Sequence, residues 1–274
     1  MIQQNFSTKV VNSIMRYATN RYLSLKPSHL TKLPPPNPKK VKEKSYLLYI
    51  HVPFCMTLCT YCSFNRFLFQ EDKAKAYFES LRKEMLMVKE LGYDFNAIYV
   101  GGGTTSIMPE ELCKTLDLAK SLFDIKEVSC ESDPNHIHLE ELEMFKGRID
   151  RLSVGVQSFD DGILKKVGRY DKFGSGEEVI KKLQKAIGVL PILNVDLIFN
   201  FPNQTQEMLA KDLEIIKALK PEQVTLYPLM SSPSVKSILK RSIGEVSLQN
   251  EAQLYEQILE TLKDDFSSLS SWAF

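Results

Sequence analysis

From Ser45 onward the chain alternates short apolar runs with longer stretches of helical period. SYLLYIHV (45–52) predicts a strand rich in aliphatic and aromatic residues. Positions 72–91 then place Ala74, Phe78, Leu81, Met85 and Val88 on one side of a helix. FNAIYVGGG (95–103) predicts a strand ending in glycine. Positions 109–123 predict a helix that opens with proline and two glutamates, a sound helix start. KEVSCES (126–132) predicts the third strand, followed by a helix over 138–145. DRLSVGVQ (150–157) predicts the fourth, followed by helices over 160–167 and 176–187. LNVDLIFNFP (193–202) and EQVTLYPLM (222–230) predict the last two strands, each with a helix after it, over 205–219 and 248–262.

Six strand–helix units in series imply parallel strands joined by crossover helices, which are right-handed. Six fall short of the eight of a closed barrel. The expected fold is therefore α/β, a partial (β/α)6 TIM-like barrel spanning 45–274. Ahead of it, 1–25 carries Val11, Ile14, Met15, Ala18 and Leu23 near one helical face, and LPPPNPKK interrupts any helix. Residues 1–44 are thus expected to be a helical extension and a proline-rich linker. In such folds, functional residues sit at the C-terminal ends of the strands.

Composition narrows the function classes. Among 274 residues, 43% are hydrophobic and 25% charged, with a net charge of +1. No basic block supports nucleic-acid binding by counterion release. PKKVKEK (38–44) reads as solvated linker. No stretch approaches the roughly 20 apolar residues of a membrane span. The 1–25 helix is too weakly basic to favour lying on a membrane surface, so membrane contact is not expected. No secretory leader is expected either. A cytoplasmic location follows, where thiols stay reduced and clustered cysteines point to metal or catalysis.

Cys55, Cys59 and Cys62 directly follow the first strand with spacing C-x3-C-x2-C. Thiolates are the usual ligands of iron–sulfur cubanes. Three of them leave one of four irons open, as a catalytic metal site requires, and an open iron can chelate an amine and a carboxylate. With His51, the same cysteines also make a candidate zinc set, H-x3-C-x3-C-x2-C. Cys113, in a helix, and Cys130, in a strand, read as structural. At the other strand ends, GGGT offers close backbone approach and amides that can donate to a ligand. Asp133, before Pro134, reads as the cap of the next helix, which leaves Glu131 free to face the cavity. Gln157 sits where a strand hands over to a loop, Arg169 reads as a surface charge on its own, and Asp196 lies mid-strand among apolar residues, where a carboxylate needs a partner or ligand.

The segments YIHVPFC, the cysteine cluster, GGGT, ESDP, GVQSF, GRY and DLIFNFPNQT, in that order over 46–229, resemble the radical S-adenosylmethionine superfamily. Within it they resemble the oxygen-independent coproporphyrinogen III oxidase family, with its heme-chaperone and anaerobic heme-degrading relatives. The resemblance implies a 4Fe–4S cluster on Cys55, Cys59 and Cys62 and S-adenosylmethionine on its open iron. One-electron cleavage then yields a 5′-deoxyadenosyl radical that abstracts hydrogen from a substrate. Tyr49 and Tyr61 are implied near the cluster and cofactor, and Gly102, Gly103, Thr104 and Glu131 around its methionine and ribose. Gln157, Arg169 and Asp196 are implied to hold a second S-adenosylmethionine, the first one, or the substrate. A tetrapyrrole or heme is the implied substrate, and a flavodoxin- or ferredoxin-type protein the electron donor.

Two positions depart from the pattern. The oxidase has a further cysteine where this chain has Phe64, and CSF looks more like the chaperone and heme-degrading branches. Thr105 stands where relatives carry proline. The resemblance also implies a smaller domain beyond the sixth unit, whereas the chain closes on SSLSSWAF. Without that lid, a radical is expected to be poorly shielded.

Overall fold

The computed structural model describes residues 46–59, 61–230, 240–241 and 243–274. The expected N-terminal helix and linker lie outside the described residues. In chain order the elements are β1 (Leu47–Val52), β2 (Phe54–Cys55), β3 (Phe67–Leu68), α1 (Glu71–Glu90), β4 (Ala97–Gly102), α2 (Pro109–Leu122), β5 (Glu127–Ser132) and α3 (Leu139–Phe145). There follow β6 (Arg151–Gln157), α4 (Asp161–Lys166), α5 (Tyr170–Phe173), α6 (Gly176–Ala186), β7 (Ile192–Phe199), α7 (Gln206–Leu219), β8 (Gln223–Pro228) and α8 (Leu248–Leu262).

The expected fold is present. Six parallel strands lie in the order β1-β4-β5-β6-β7-β8, each beside its predecessor in the series. Helices form where the apolar period placed them, and four of them start on side-chain caps, from Asp160, Ser175, Thr205 and Ser247. Ser175 and Glu178 make a capping box for α6, and the Thr205 hydroxyl accepts the Met208 amide at 3.3 Å. The strand expected to run to Pro202 ends at Phe199, because Asn200 turns out of the sheet with φ 64°.

One face of every strand packs against the helices. Ile98 and Val100, Val128 and Cys130, Leu152 and Val154, Leu193 and Val195, and Val224 and Leu226 are all buried in one core with Leu112, Leu116, Leu183 and Leu213. The alternate positions point to the inner face and are mostly polar. Two features were not anticipated. β2 and β3 form a two-residue parallel pair that brackets the cysteine loop. The C-terminal residues run antiparallel along β8, with Val224 and Phe274 exchanging N–H···O bonds at 2.9 Å.

Candidate functional site

Cys55 ends β2, and the loop from β2 to β3 carries Cys59 and Cys62 and is tied down on several sides. The Phe67 amide donates to the Pro53 carbonyl at 2.6 Å, and the Phe69 amide to the Cys55 carbonyl at 2.9 Å. Arg66 reaches back across the loop, donating through Nη2 to the Cys59 carbonyl at 2.6 Å and through Nη1 to the Phe64 carbonyl at 3.2 Å. Lys172 contacts the Thr57 carbonyl at 3.4 Å. All three cysteines are free thiols and line one cavity of about 520 Å³. Burial pushes the Cys55 and Cys62 thiols up from their ordinary value.

His51 is not a fourth ligand. Its Nδ1 lies 3.0 Å from the Tyr49 hydroxyl and its Nε2 lies 3.0 Å from the Asn65 carbonyl. The carbonyl can only accept, so Nε2 carries the proton and Nδ1 accepts from Tyr49. Both nitrogens are engaged, and among the described residues no three His, Cys, Asp or Glu side chains converge on a single ion position. The zinc alternative therefore lacks its fourth ligand.

The glycine stretch at the end of β4 passes close to the cysteine loop. A Cβ on Gly103 would lie 2.5 Å from the Phe54 carbonyl oxygen and 2.9 Å from the Cys55 sulfur. Gly102 has φ +129°, a conformation that favours glycine. The amides expected to serve a ligand are already used. Gly102 donates to Glu131 at 3.1 Å, Gly103 to the Val52 carbonyl at 2.8 Å, and Thr104 to the Phe54 carbonyl at 2.7 Å. The stretch therefore offers close approach and carbonyl oxygens rather than free N–H groups.

Glu131 lines the cavity as expected, and the Tyr99 hydroxyl donates to it at 2.8 Å. That leaves the carboxylate oriented by two donors. Asp133 does not cap a helix. It accepts from the Asn135 amide at 3.0 Å and the Thr104 hydroxyl at 2.9 Å, while α3 starts six residues later after His138, with no side-chain cap. The proline after Asp133 opens a turn instead of a helix.

Gln157, Arg169 and Asp196 meet around Gly155. Asp196 is the register partner of Gly155 across β6 and β7, and a bulge follows, where Gln157 takes φ 79°. The Gln157 side chain lies over Gly155, 2.8 Å from where a Cβ would be. Arg169 is not a surface charge: it is 5% exposed. Its guanidinium donates to the Gly155 carbonyl and to the Tyr61 hydroxyl at 3.2 Å, lies 3.8 Å from the Cys59 sulfur, and stacks 4.2 Å from the Phe173 ring. It pins the cysteine loop to the sheet, and its Nε is a buried donor without an acceptor. Burial pushes the Tyr61 phenol to about 12, against the pull of Arg169.

Asp196 accepts from Ser153 at 2.8 Å and from Asn194 at 2.7 Å, and Asn194 accepts in turn from Thr225 at 2.9 Å. Burial still raises its carboxyl to about 6, with Ser153, Arg151 and Asn194 pulling the other way. Tyr99, Ser153, Asn194, Arg66, Lys172 and Arg151 were not singled out from the sequence. The inner-face alternation along the strands would have found four of them.

These residues fit a cubane with a chelating cofactor. The donor set is three thiols without a fourth, Gly103 alone permits the backbone beside Cys55, and charged groups of both signs surround the space. The sequence profile of the Radical SAM superfamily matches residues 49–216. The heme chaperone HemW of Bacillus subtilis (strain 168) is 30% identical over 78% of this chain and 59% of its own length. The oxygen-independent coproporphyrinogen III oxidase of Helicobacter pylori (strain ATCC 700392 / 26695) is 32% identical over 79% of this chain and 50% of its own. The solved structure of coproporphyrinogen III oxidase (HemN) from Escherichia coli superposes with a TM-score of 0.70 at 27% identity, covering 81% of this chain and 53% of that one. The chain thus spans about half to three-fifths of the length of these relatives. The profile spans more than half of the chain, which belongs to the radical S-adenosylmethionine superfamily.

Proposed function

We propose that this chain is the catalytic core of a radical S-adenosylmethionine enzyme acting on a tetrapyrrole, with residues 45–274 as the core and 1–44 as a separate extension. Members of the superfamily carry a 4Fe–4S cluster and S-adenosylmethionine. When bound, these groups supply one-electron cleavage of a sulfonium and hydrogen-atom abstraction. The observation that carries the reading is the convergence of Cys55, Cys59 and Cys62 with Glu131, Gln157, Arg169 and Asp196 on one cavity.

Each residue then has a physical task. The three thiolates hold the cluster, and Arg66 and Arg169 fix the loop that presents them. Gly102, Gly103 and Thr104 let the cofactor approach the backbone, and Tyr61 walls it in, whereas Tyr49 lies outside the cavity lining, exposed and stacked on Tyr99. Glu131, oriented by Tyr99 and the Gly102 amide, is placed to accept from hydroxyl or amino groups of the cofactor. Gln157 and Asp196 face the remaining space, where a substrate or second cofactor sits. We place the protein in the cytoplasm with a flavodoxin- or ferredoxin-type donor. No helix of the described residues is long and apolar enough to cross a membrane.

Anaerobic reconstitution with iron, sulfide and dithionite, followed by product analysis with coproporphyrinogen and heme separately, tests this. Formation of 5′-deoxyadenosine with consumption or methylation of the tetrapyrrole is the expected result. A second reading, a heme chaperone without turnover, draws on the 30% identity to HemW and on Phe64 at the further cysteine's place. Stoichiometric heme transfer with no tetrapyrrole consumed selects it. Protein that takes up no iron defeats both.

A further inference from the structure

One cation of the cavity has no assigned task. Arg151 opens β6 on the inner face, at the strand end opposite the cysteine loop. Its Nε donates to the Gln223 side-chain carbonyl at 2.5 Å. A guanidinium has further donors on its two terminal nitrogens. No described residue accepts from them, and Arg151 makes no ion pair with any described residue. Nor are these nitrogens sealed in protein: the Nε of Arg169 is a buried donor without an acceptor, whereas Arg151 is partly exposed and lines the cavity.

The rival role is counterion to Asp196 on the same wall. Arg151 does pull on the Asp196 carboxyl through space, but Asp196 takes its hydrogen bonds from Ser153 and Asn194, and Glu131 takes its own from Tyr99 and Gly102. The fork of Arg151 is left uncommitted, with its plane set by Gln223. A planar fork of this kind matches a carboxylate through two parallel N–H···O bonds. A dianion such as phosphate would bring excess negative charge beside Asp196 and Glu131, whereas one carboxylate balances one cation.

We propose that Arg151 anchors a carboxylate of the substrate at the base of the cavity, gripping it through both terminal nitrogens. This rests on the tetrapyrrole reading, since tetrapyrroles of this class carry carboxylate side chains. It places the anchor at a strand N-terminus, away from the strand ends that hold the cluster and cofactor.

Titration of the porphyrin absorption band tests it, with coproporphyrin III and its tetramethyl ester as the two probes. The wild-type chain binds the free acid, and Arg151→Gln weakens that binding about 30-fold, as for loss of a charged bidentate pair. The ester binds weakly, and equally to both proteins. Arg151→Lys keeps the charge without the fork and recovers part of the affinity. Gln223→Leu leaves the guanidinium intact but unoriented, and weakens the acid about threefold. Equal loss of acid and ester in Arg151→Gln overturns the anchor in favour of packing. Unchanged acid affinity in both Arg151→Gln and Gln223→Leu overturns it in favour of a counterion. If the wild type binds acid and ester alike, only the anchor falls. If it binds neither, the tetrapyrrole reading falls and the anchor with it.

Discussion

Gly103→Ala should damage the site more than Gly101→Ala, because backbone blocks the added Cβ at the first and side chains at the second. An added Cβ would lie 2.5 Å from the Phe54 carbonyl oxygen and 2.9 Å from the Cys55 sulfur. Ordinary carbon–oxygen contacts begin at about 3.3 Å, so the two backbones must separate by about 0.8 Å. The obstacle is backbone, which has no rotamer to yield. Separation also loosens the Thr104 amide to Phe54 carbonyl bond, now 2.7 Å. Overpacking of this size costs about 1–3 kcal/mol and the strained hydrogen bond about 1 kcal/mol more.

For a domain of this length, a loss of about 2–4 kcal/mol lowers the melting temperature by roughly 5–15 °C. Cys55 is displaced with Phe54, so iron uptake should fall as well. Gly101→Ala is the control. Its Cβ would meet only the ring edges of Tyr49 and Tyr99, at 3.1 Å, and these side chains can rotate. Its loss should stay below about 1 kcal/mol. Calorimetry of the cluster-free protein and iron content after reconstitution read the two effects. A Gly103→Ala protein that melts within 2 °C of wild type and takes up full iron would refute the claim that close approach constrains this position.

Cys59→Ala should abolish iron uptake and the broad absorbance near ~400 nm expected of such clusters; retained absorbance defeats the cluster assignment. Arg169→Met should lower the urea midpoint by about 2–4 kcal/mol equivalent, because the Gly155 carbonyl and Tyr61 hydroxyl lose their donor; an unchanged midpoint would mean the loop is held without it. Asp212, 2% exposed, accepts from the Ser158 hydroxyl and the Phe159 amide. Burial raises its carboxyl from the ordinary 3.8 to about 6, against the pull of both donors. A raised folded value means its contribution is full below pH ~4 and lost as pH climbs through about 6, about 3 kcal/mol in all. Asp212→Asn should remove that share of the pH 4–7 slope in urea midpoints, and a slope identical to wild type would contradict the assigned protonation.

The sequence and structure agree best where the signal is periodic and long. The helix expected over 248–262 is α8 at those bounds, and the six expected strands form one parallel sheet. Disagreement falls where non-local contacts decide. β2 and β3 are two residues each, and they pair only because the cysteine loop folds back on itself. α5 has four residues, too few for any period, and forms under the Arg169 carbonyl, which accepts from Lys172 and Phe173. At the site, residue types were legible and their partners were not. GGGT announced close approach, but nothing local told that Val52, Phe54 and Glu131 would take its amides. Arg169 had no local mark of burial, because Tyr61 lies 108 residues away.

Parallel sheets covered on both faces read as continuous apolar runs. These strands instead alternate. In β6, Leu152, Val154 and Val156 are buried against helices, while Arg151, Ser153, Gly155 and Gln157 line the cavity. In β7, Leu193, Val195 and Leu197 alternate with Asn194, Asp196 and Ile198. The outer face therefore supplies most of the apolar burial that holds the fold. The inner face is freed from packing and can carry polar groups whose cost is met by mutual hydrogen bonds, as in Thr225–Asn194–Asp196–Ser153. That division explains how one cavity accommodates thiols, carboxylates and guanidinium groups within a stable sheet. It also accounts for Arg151, which opens β6 on that same polar face, at the base of the strands and far from the cysteine loop.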